Sequence, residues 1–538
     1  MSKYQRPDYF DHAPPAPATP RNAWQACCGD HLGHDREALC WVDLQQGVHR
    51  YSFEQLDRWS AQFAQLLVAR GVRPGQRVAG LLPRRLELLI VVLGSWRAGA
   101  VYQPLFTAFG PKSLQHRLDA GETALLVAHR DQRGKLAQLA NLPPLLVLDA
   151  EDDGDDDFWR ALDGLPEHFA PVPRAADDPF LMMFTSGTSG PPKGLMVPLR
   201  ALAAFATYMR HAVELREDDV LWNIADPGWA YGLYYGITGP LLLGHSTTFH
   251  EGAFTAESCY RTIATLGITN LMGAPTAFRL LMAAGDAAAA PLKGRLRVVS
   301  SAGEPLNPEV IRWFAGNLGV VIHDHYGQTE TGMTVCNHHG LRHPVRVGSA
   351  GFALPGYAVA VLDEDGRALP PGVPGQLAIE LARSPALFFQ GYWRQQKQPF
   401  RAGHYLTGDT VELNEDGGIS FVGRSDDVIT SSGYRIGPFD VESSLIEHPD
   451  VIEAAAVGKP DPQRTEIVVA YVVLRAGVTG EETLAQALAD FVKQRLSAHA
   501  YPREVHFVDE LPKTPSGKIQ RFLLRQAFAN AGEAAAEA

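Results

Sequence analysis

Cysteine is scarce and scattered: five in 538 residues (Cys27, Cys28, Cys40, Cys259, Cys336), with no CxxC spacing. That excludes a disulfide framework and a cysteine-rich zinc site, and it predicts reduced, structural thiols. Positive charge is short as well. A net charge of −12 argues against general nucleic-acid or anionic-membrane binding, so any anionic substrate must meet local positive charge. No apolar run reaches membrane-spanning length, and the N-terminal Met1-Ser-Lys-Tyr-Gln-Arg-Pro-Asp lacks the apolar region of a signal peptide. The expectation is a cytoplasmic protein without a membrane span. What is left, 46% hydrophobic and 20% charged residues, is ordinary for a globular chain, and the length exceeds what one core accommodates.

Within that plain composition, Thr185-Ser-Gly-Thr-Ser-Gly-Pro-Pro-Lys193-Gly stands out. Its glycines (Gly187, Gly190) let backbone N–H groups turn toward phosphate oxygens. Thr185, Ser186, Thr188 and Ser189 add hydroxyls, and Lys193 adds a mobile point charge. This is a polyphosphate cradle. Position 192 is proline where a Walker A loop needs glycine, which disfavours a P-loop NTPase. A solvated Ser/Gly/Pro turn rarely alternates hydroxyls and glycines ahead of Pro-Pro-Lys-Gly. Pro179 to Phe184 reads as a buried strand and Val197 to Met209 as an alanine-faced helix, so the loop is expected between strand and helix.

Residues 1 to 20, rich in Pro and Ala, are expected to lie over the surface or lack order. Ser52 should cap an amphipathic helix through Ala69. Strand-like runs (Val78 to Leu82, Ala124 to Ala128, Leu145 to Leu148) alternate with helical ones (Leu86 to Ala98, Pro111 to Ala120), the rhythm of a parallel sheet. The acidic run Glu151 to Asp157 lacks the spacing and terminal glutamate of a calcium loop and reads as a solvated connection. From Val347 to Phe421 the chain turns Gly-, Pro- and β-rich, as in a small subdomain. Beyond a composition break near Arg424 to Asp427, helices (Val441 to His448, Thr483 to Leu496) and strands (Val451 to Val457, Glu466 to Leu474) form a compact α+β unit.

Four further clusters follow the phosphate loop in order: Ser301-Ala-Gly-Glu-Pro305; Asp324-His-Tyr-Gly-Gln-Thr-Glu330; Thr407-Gly-Asp409 with Gly423-Arg424; and Pro515-Ser-Gly-Lys518. With them the chain resembles the adenylate-forming superfamily of acyl-CoA synthetases, carrier-protein adenylation domains and luciferases. Its wording is most similar to medium-chain acyl-CoA synthetases and benzoate-CoA ligases. The resemblance spans about residues 50 to 525. It implies an α/β fold: a large N-terminal adenylation domain (1–425) of two α/β sheets plus a small β-rich subdomain, and a small mobile α+β C-terminal domain (426–538). ATP, Mg²⁺ and coenzyme A are the implied cofactors. Implied partners are a small carboxylate, a second copy in a homodimer, and a lysine acetyltransferase or deacetylase acting on Lys518.

Tyr326 offers a ring for adenine stacking against the Gly303-Glu304-Pro305 turn, and Asp324 an acceptor for the adenine amino group; the alternative for Asp324 is an ordinary helix-capping or turn aspartate. His325, Gly327 and Gln328 complete that nucleotide segment. Asp409 suits ribose hydroxyls and Arg424 the same sugar or phosphate, with a surface ion pair as the alternative. Thr329 and Glu330 resemble the pair that holds the α-phosphate and Mg²⁺, for which a hard carboxylate is a suitable ligand. Nearby His323, His325, Cys336, His338 and His339 match no standard zinc spacing and are expected to pack or line a pocket. Lys518 resembles the family's catalytic lysine, which bridges the attacking carboxylate and the α-phosphoryl oxygens. Asp426 resembles the hinge of a domain rotation, and Ser432, Gly433, Tyr434 and Arg435 the loop that then lines a pantetheine tunnel.

The family's acyl-pocket positions fall on Trp229, Ala230, Tyr231, Gly232, Ala302 and Gly327. Acetate-selective relatives carry tryptophan at the last of these. Glycine there is expected to open room for methylenes, each worth roughly 0.8 kcal/mol buried, and to make acetate a poor substrate. Tyr231 would narrow the slot. A short-to-medium-chain acid, straight or branched, is the first expectation and an aryl acid its competitor. Transfer to a carrier protein, luciferase-type oxygenation and a silent nucleotide-binding regulator are further alternatives, the last disfavoured by the presence of Lys518, Glu330 and Thr329.

Overall fold

Short apolar runs alternating with helices build the first sheet. Strands Leu145–Leu148, Thr123–His129, Arg77–Leu81, Val101–Pro104 and Pro179–Phe184 lie side by side in parallel, and Gly194–Pro198 closes the edge antiparallel to the last. The computed structural model describes residues 22–151, 156–185, 192–431, 434–496, 499–514 and 518–526. Helix Leu86–Arg97 is mostly apolar and buried on every side, as a crossover between two parallel strands requires. Helix Phe53–Ala69 starts at a capping box: Ser52 Oγ accepts from the Gln55 N–H, and Gln55 Oε1 from the Ser52 N–H.

The expected helix over Val197 to Met209 is corrected. Gly194–Pro198 is a strand, with Phe184 opposite Gly194 and Leu181 opposite Val197; the helix spans Ala201–Thr207 and continues as a π-helical turn, Tyr208–Ala212. Pro198, which offers no N–H and clashes with a preceding turn, separates the two states. The phosphate loop therefore joins two antiparallel strands rather than a strand and a helix.

The second sheet has eleven strands. Leu221–Asn223, Asn270–Gly273, Val298–Ala302 and Ile322–Gln328 are parallel; Gly332–Cys336 then turns back antiparallel and hands the ladder to Ser349–Ala353, Ile419–Arg424, His404–Leu413, Gly375–Glu380 and Val359–Leu362. The β-rich segment after residue 347 is thus hydrogen-bonded into this sheet. The clusters at 301–305 and 324–330 stand at the carboxyl ends of neighbouring parallel strands, where open α/β sheets bind ligands. A three-stranded sheet (Thr247–His250, Glu37–Val42, Val48–Ser52) completes the larger part.

A separate sheet starts at Ile429–Ser431 and includes the long pair Val451–Asp461 and Thr465–Leu474. Helices Pro438–Ile446 and Glu482–Arg495 cover it, burying Val441, Leu445, Leu488 and Val492 against Ala454 and Val468. All five cysteines are buried and free. No helix among the described residues is long and apolar enough to cross a membrane. Of the acidic run, Asp157 caps helix Phe158–Leu162 through the Arg160 N–H, while 152–155 lie outside the described residues.

Candidate active site

A cavity of about 680 Å³ opens over the carboxyl ends of the second sheet and is walled on its far side by the C-terminal unit. It brings together Thr185, Lys193, Gly303, Glu304, Pro305, Asp324, His325, Tyr326, Gly327, Gln328, Thr329, Glu330, Asp409, Arg424 and Lys518. Ser186, Gly187, Thr188, Ser189, Gly190, Ser432, Gly433 and the Arg435 side chain fall outside the described residues.

Asp409 is the hub of one hydrogen-bonded group on the cavity wall. Tyr326 Oη and Gln328 Nε2 donate to its Oδ2 at 2.5 and 2.7 Å, and Arg424 Nη1 to its Oδ1 at 3.0 Å. Burial pushes the Asp409 carboxyl above its ordinary range, opposed by Arg424 and these hydrogen bonds. Arg424 also faces Asp426 at 3.5 Å. Asp324 offers an acceptor in want of a donor. It is partly buried on the cavity wall, its Oδ2 receives a long bond from the Leu306 N–H at 3.4 Å, and its Oδ1 is buried without a side-chain partner. Burial pushes it up to about 8. An exocyclic amino group is the donor such an atom lacks. Glu304 is held by Thr276 and Arg279, and Gly303 takes a φ of +101°, which favours glycine in the turn.

A test of Asp324 needs no ligand. Its folded-state pKa lies above the ordinary 3.8, so its share of stability is complete below that value and is lost as pH rises through about 8. Asp324→Asn should therefore gain Tm over the parent at alkaline pH and little at acid pH. Parallel melting curves across that range would contradict the buried, unpaired carboxylate.

The Thr185 to Lys193 segment is closed at its base: the Thr185 N–H donates to the Lys193 carbonyl at 3.0 Å, and the Lys193 N–H to Thr185 Oγ1 at 3.4 Å. Glu330 is 8% exposed, and its Oε1 accepts from Tyr392 Oη at 2.7 Å. Burial raises its carboxyl and the Tyr392 bond opposes that. The Thr329 carbonyl accepts from Tyr234 Oη at 3.0 Å. A hard carboxylate lining the cavity beside a threonine fits a divalent cation.

Lys518 is exposed to the cavity, its backbone fixed by reciprocal bonds with Thr514. Arg521 holds Glu442 through three bonds, and Lys513 pairs with Glu453 at 2.6 Å. Asn307 Nδ2 donates to Ser443 Oγ at 3.1 Å and Arg312 pairs with Glu447 at 2.9 Å, joining the C-terminal unit to the rim. Tyr434 is about half exposed, its ring stacked 3.9 Å from that of His499.

Of the six acyl-pocket positions only Gly327 lines this cavity, and the room expected there is corrected. A Cβ at Gly327 would strike the Gly332 carbonyl oxygen and come within 2.6 Å of Met333 Cα. The hydrogen admits the backbone of the adjacent strand, at a register shift, rather than methylenes. Gly232 is similar, with the Asp226 backbone where its Cβ would be. Trp229 packs against Phe106 and Phe109, with ring centroids at 5.8 and 5.3 Å. Ala230 and Tyr231 lie partly buried beside it, and Ala302 is buried opposite His325. His325 Nε2 is 3.0 Å from the Asn337 carbonyl and so carries the proton, while Nδ1 accepts from Tyr208 Oη at 2.7 Å. Burial lowers it to about 3, a neutral ring. His323 and His339 stack at 3.7 Å, and the described residues hold no metal-binding group of His, Cys, Asp and Glu. Tyr392, Arg279, Asn307 and Arg521 line the cavity although no motif announced them.

Residues 30–393 match the family described as AMP-binding enzyme, and residues 440–518 its C-terminal domain. The acetyl-coenzyme A synthetase of Bacillus subtilis (strain 168) is 38% identical over 502 residues, spanning 91% of this chain and 87% of that protein. Among solved structures, the acyl-CoA synthetase of Brucella canis is 57% identical at a TM-score of 0.76, with 95% of each chain covered. A benzoate CoA ligase from Burkholderia xenovorans LB400 is 28% identical at a TM-score of 0.83, with 94% of this chain and 99% of that one covered. With family matches over most of its length, the chain belongs to the AMP-forming acyl-CoA synthetases, acid–thiol ligases that consume ATP and coenzyme A.

Proposed function

We propose that this enzyme activates an apolar short-to-medium-chain monocarboxylate in two half-reactions at the cavity described above. One observation carries the reading: Lys193, Glu330, Asp409 and, from the C-terminal unit, Lys518 line one space. In the first half-reaction a carboxylate oxygen attacks the α-phosphorus and pyrophosphate leaves. Lys518 neutralises the two anions that must meet, and Lys193 the departing phosphates. Glu330, with Thr329, would hold Mg²⁺, which when bound supplies further positive charge at the phosphates. Tyr326 and the turn at Gly303 hold adenine, Asp324 accepts from its amino group, and Asp409 with Arg424 binds the ribose.

In the second half-reaction the thiol of coenzyme A attacks the acyl carbon and AMP leaves. The 426–538 unit must first rotate about Asp426, bringing the loop at Tyr434 toward the acyl group. The ground for an apolar acid is that none of Trp229, Ala230, Tyr231 and Ala302 carries a charge, although these four lie outside the cavity lining described above; Gly327 does not argue for chain length. An aryl acid is the second reading, on the likeness to the benzoate CoA ligase from Burkholderia xenovorans LB400.

AMP release against straight, branched and aromatic acids, with and without coenzyme A, separates these readings. Butyrate- to octanoate-length acids should outpace acetate, and omission of coenzyme A should stall the enzyme after acyl-AMP. Fastest turnover with acetate or benzoate would displace the chain-length assignment; thiol-independent turnover would displace the ligase reading.

A further inference from the structure

Tyr392 stands where three separate stretches of the chain meet. Its Oη donates to Glu330 Oε1 at 2.7 Å, and the Lys193 ammonium lies 4.9 Å from its ring centroid. Its backbone bridges Leu195, just past the phosphate loop, and the next amide, Trp393, donates to the Gly194 carbonyl at 2.7 Å. Gln398 fixes the residue from the other side: the Tyr392 N–H donates to its Oε1 at 2.6 Å and its Nε2 returns to the Tyr392 carbonyl at 3.2 Å. Phe389 packs on the ring at 5.1 Å. Lys193, Glu330 and Tyr392 all line the cavity.

We propose that Tyr392 is a positioning residue that couples the phosphate lysine to the cation-binding carboxylate. Its hydroxyl occupies one oxygen of Glu330 and so presents the carboxylate in a single orientation toward a divalent cation. Its ring face receives the Lys193 ammonium by cation–π attraction and keeps that charge within the cavity before phosphates arrive. One side chain thus sets two of the groups that meet the triphosphate. The inference rests on the ATP reading given above.

The hydroxyl and the ring separate cleanly. Full-length parent, Tyr392→Phe and Tyr392→Leu would be titrated by calorimetry with α,β-methylene-ATP, which cannot be cleaved, with and without Mg²⁺. Tyr392→Phe should match the parent without Mg²⁺ yet lose roughly ten-fold of the Mg²⁺-dependent gain in affinity, the scale of a hydrogen bond to a charged group. Tyr392→Leu should lose in addition roughly two- to five-fold of the Mg²⁺-independent affinity. The KM for the carboxylate should stay at the parent value in Tyr392→Phe. Parental Mg²⁺ dependence in Tyr392→Phe, with or without a lowered Tm, overturns the proposal, as does a Leu variant that binds like the Phe one. Failure of the parent to bind the analogue or release AMP would instead sink the ATP reading itself.

Discussion

Replacing Lys518 by alanine is expected to cut carboxylate-dependent pyrophosphate release by about 10²–10³-fold, the usual loss when one preorganised electrostatic contact to a transition state is removed. The fold should survive. Lys518 meets Thr514 through its backbone N–H and carbonyl, and alanine keeps both bonds; the neighbouring Arg521–Glu442 pair does not involve it. Nucleotide affinity should change little, because the residues proposed to hold adenine and ribose belong to the larger unit. Supplied acyl-AMP should still be converted to thioester. Neutralising the same ammonium by acetylation should have the same effect. Pyrophosphate release is the readout, and an unchanged rate would remove Lys518 from the first half-reaction.

Asp426→Pro should give the converse: adenylation near the parental rate with thioester formation lost. Proline fixes φ near −65°, and a hinge must change its backbone angles. In the present conformation the substitution is tolerable, since the local backbone bonds use the amides of Ser425, Asp427 and Val428, and the ion pair given up to Arg424 is long, at 3.5 Å, on a side chain 45% exposed. Asp426→Ala separates loss of charge from loss of freedom and should run both steps. The two half-reactions would be followed as pyrophosphate release and as coenzyme A-dependent AMP release. An equal fall in both would count against rotation about this residue.

What could be read ahead of the structure was chemistry carried by contiguous residues. Asp324 to Glu330 lie on one strand and its turn, so their order in the chain is also their order along the cavity. Helices such as Phe53–Ala69 were equally legible, because a capping serine and an apolar stripe are local signals. Tyr392 was not. Its partners Glu330 and Lys193 lie far away in the chain, and a Gly-Tyr-Trp stretch has no chemistry until a strand edge brings it to Leu195. The strand Gly194–Pro198 escaped for a related reason: five residues running into an alanine-rich helix show no period of their own, and the ladder with Pro179–Phe184 decides them. Gly327 misled because room beside a glycine depends on what the next strand places there.

The eleven-stranded sheet has a thermodynamic consequence. Tyr326 and Gln328 on one strand and Arg424 at the end of another all bond Asp409 on a third. The rotamer entropy of these side chains is surrendered during folding, so little is left to lose when AMP or ATP arrives. The cost falls on the stability of the fold, which carries two carboxylates, Asp324 and Asp409, raised by burial. Nucleotide binding should repay part of that strain, and a rise in melting temperature with AMP alone is the form it would take.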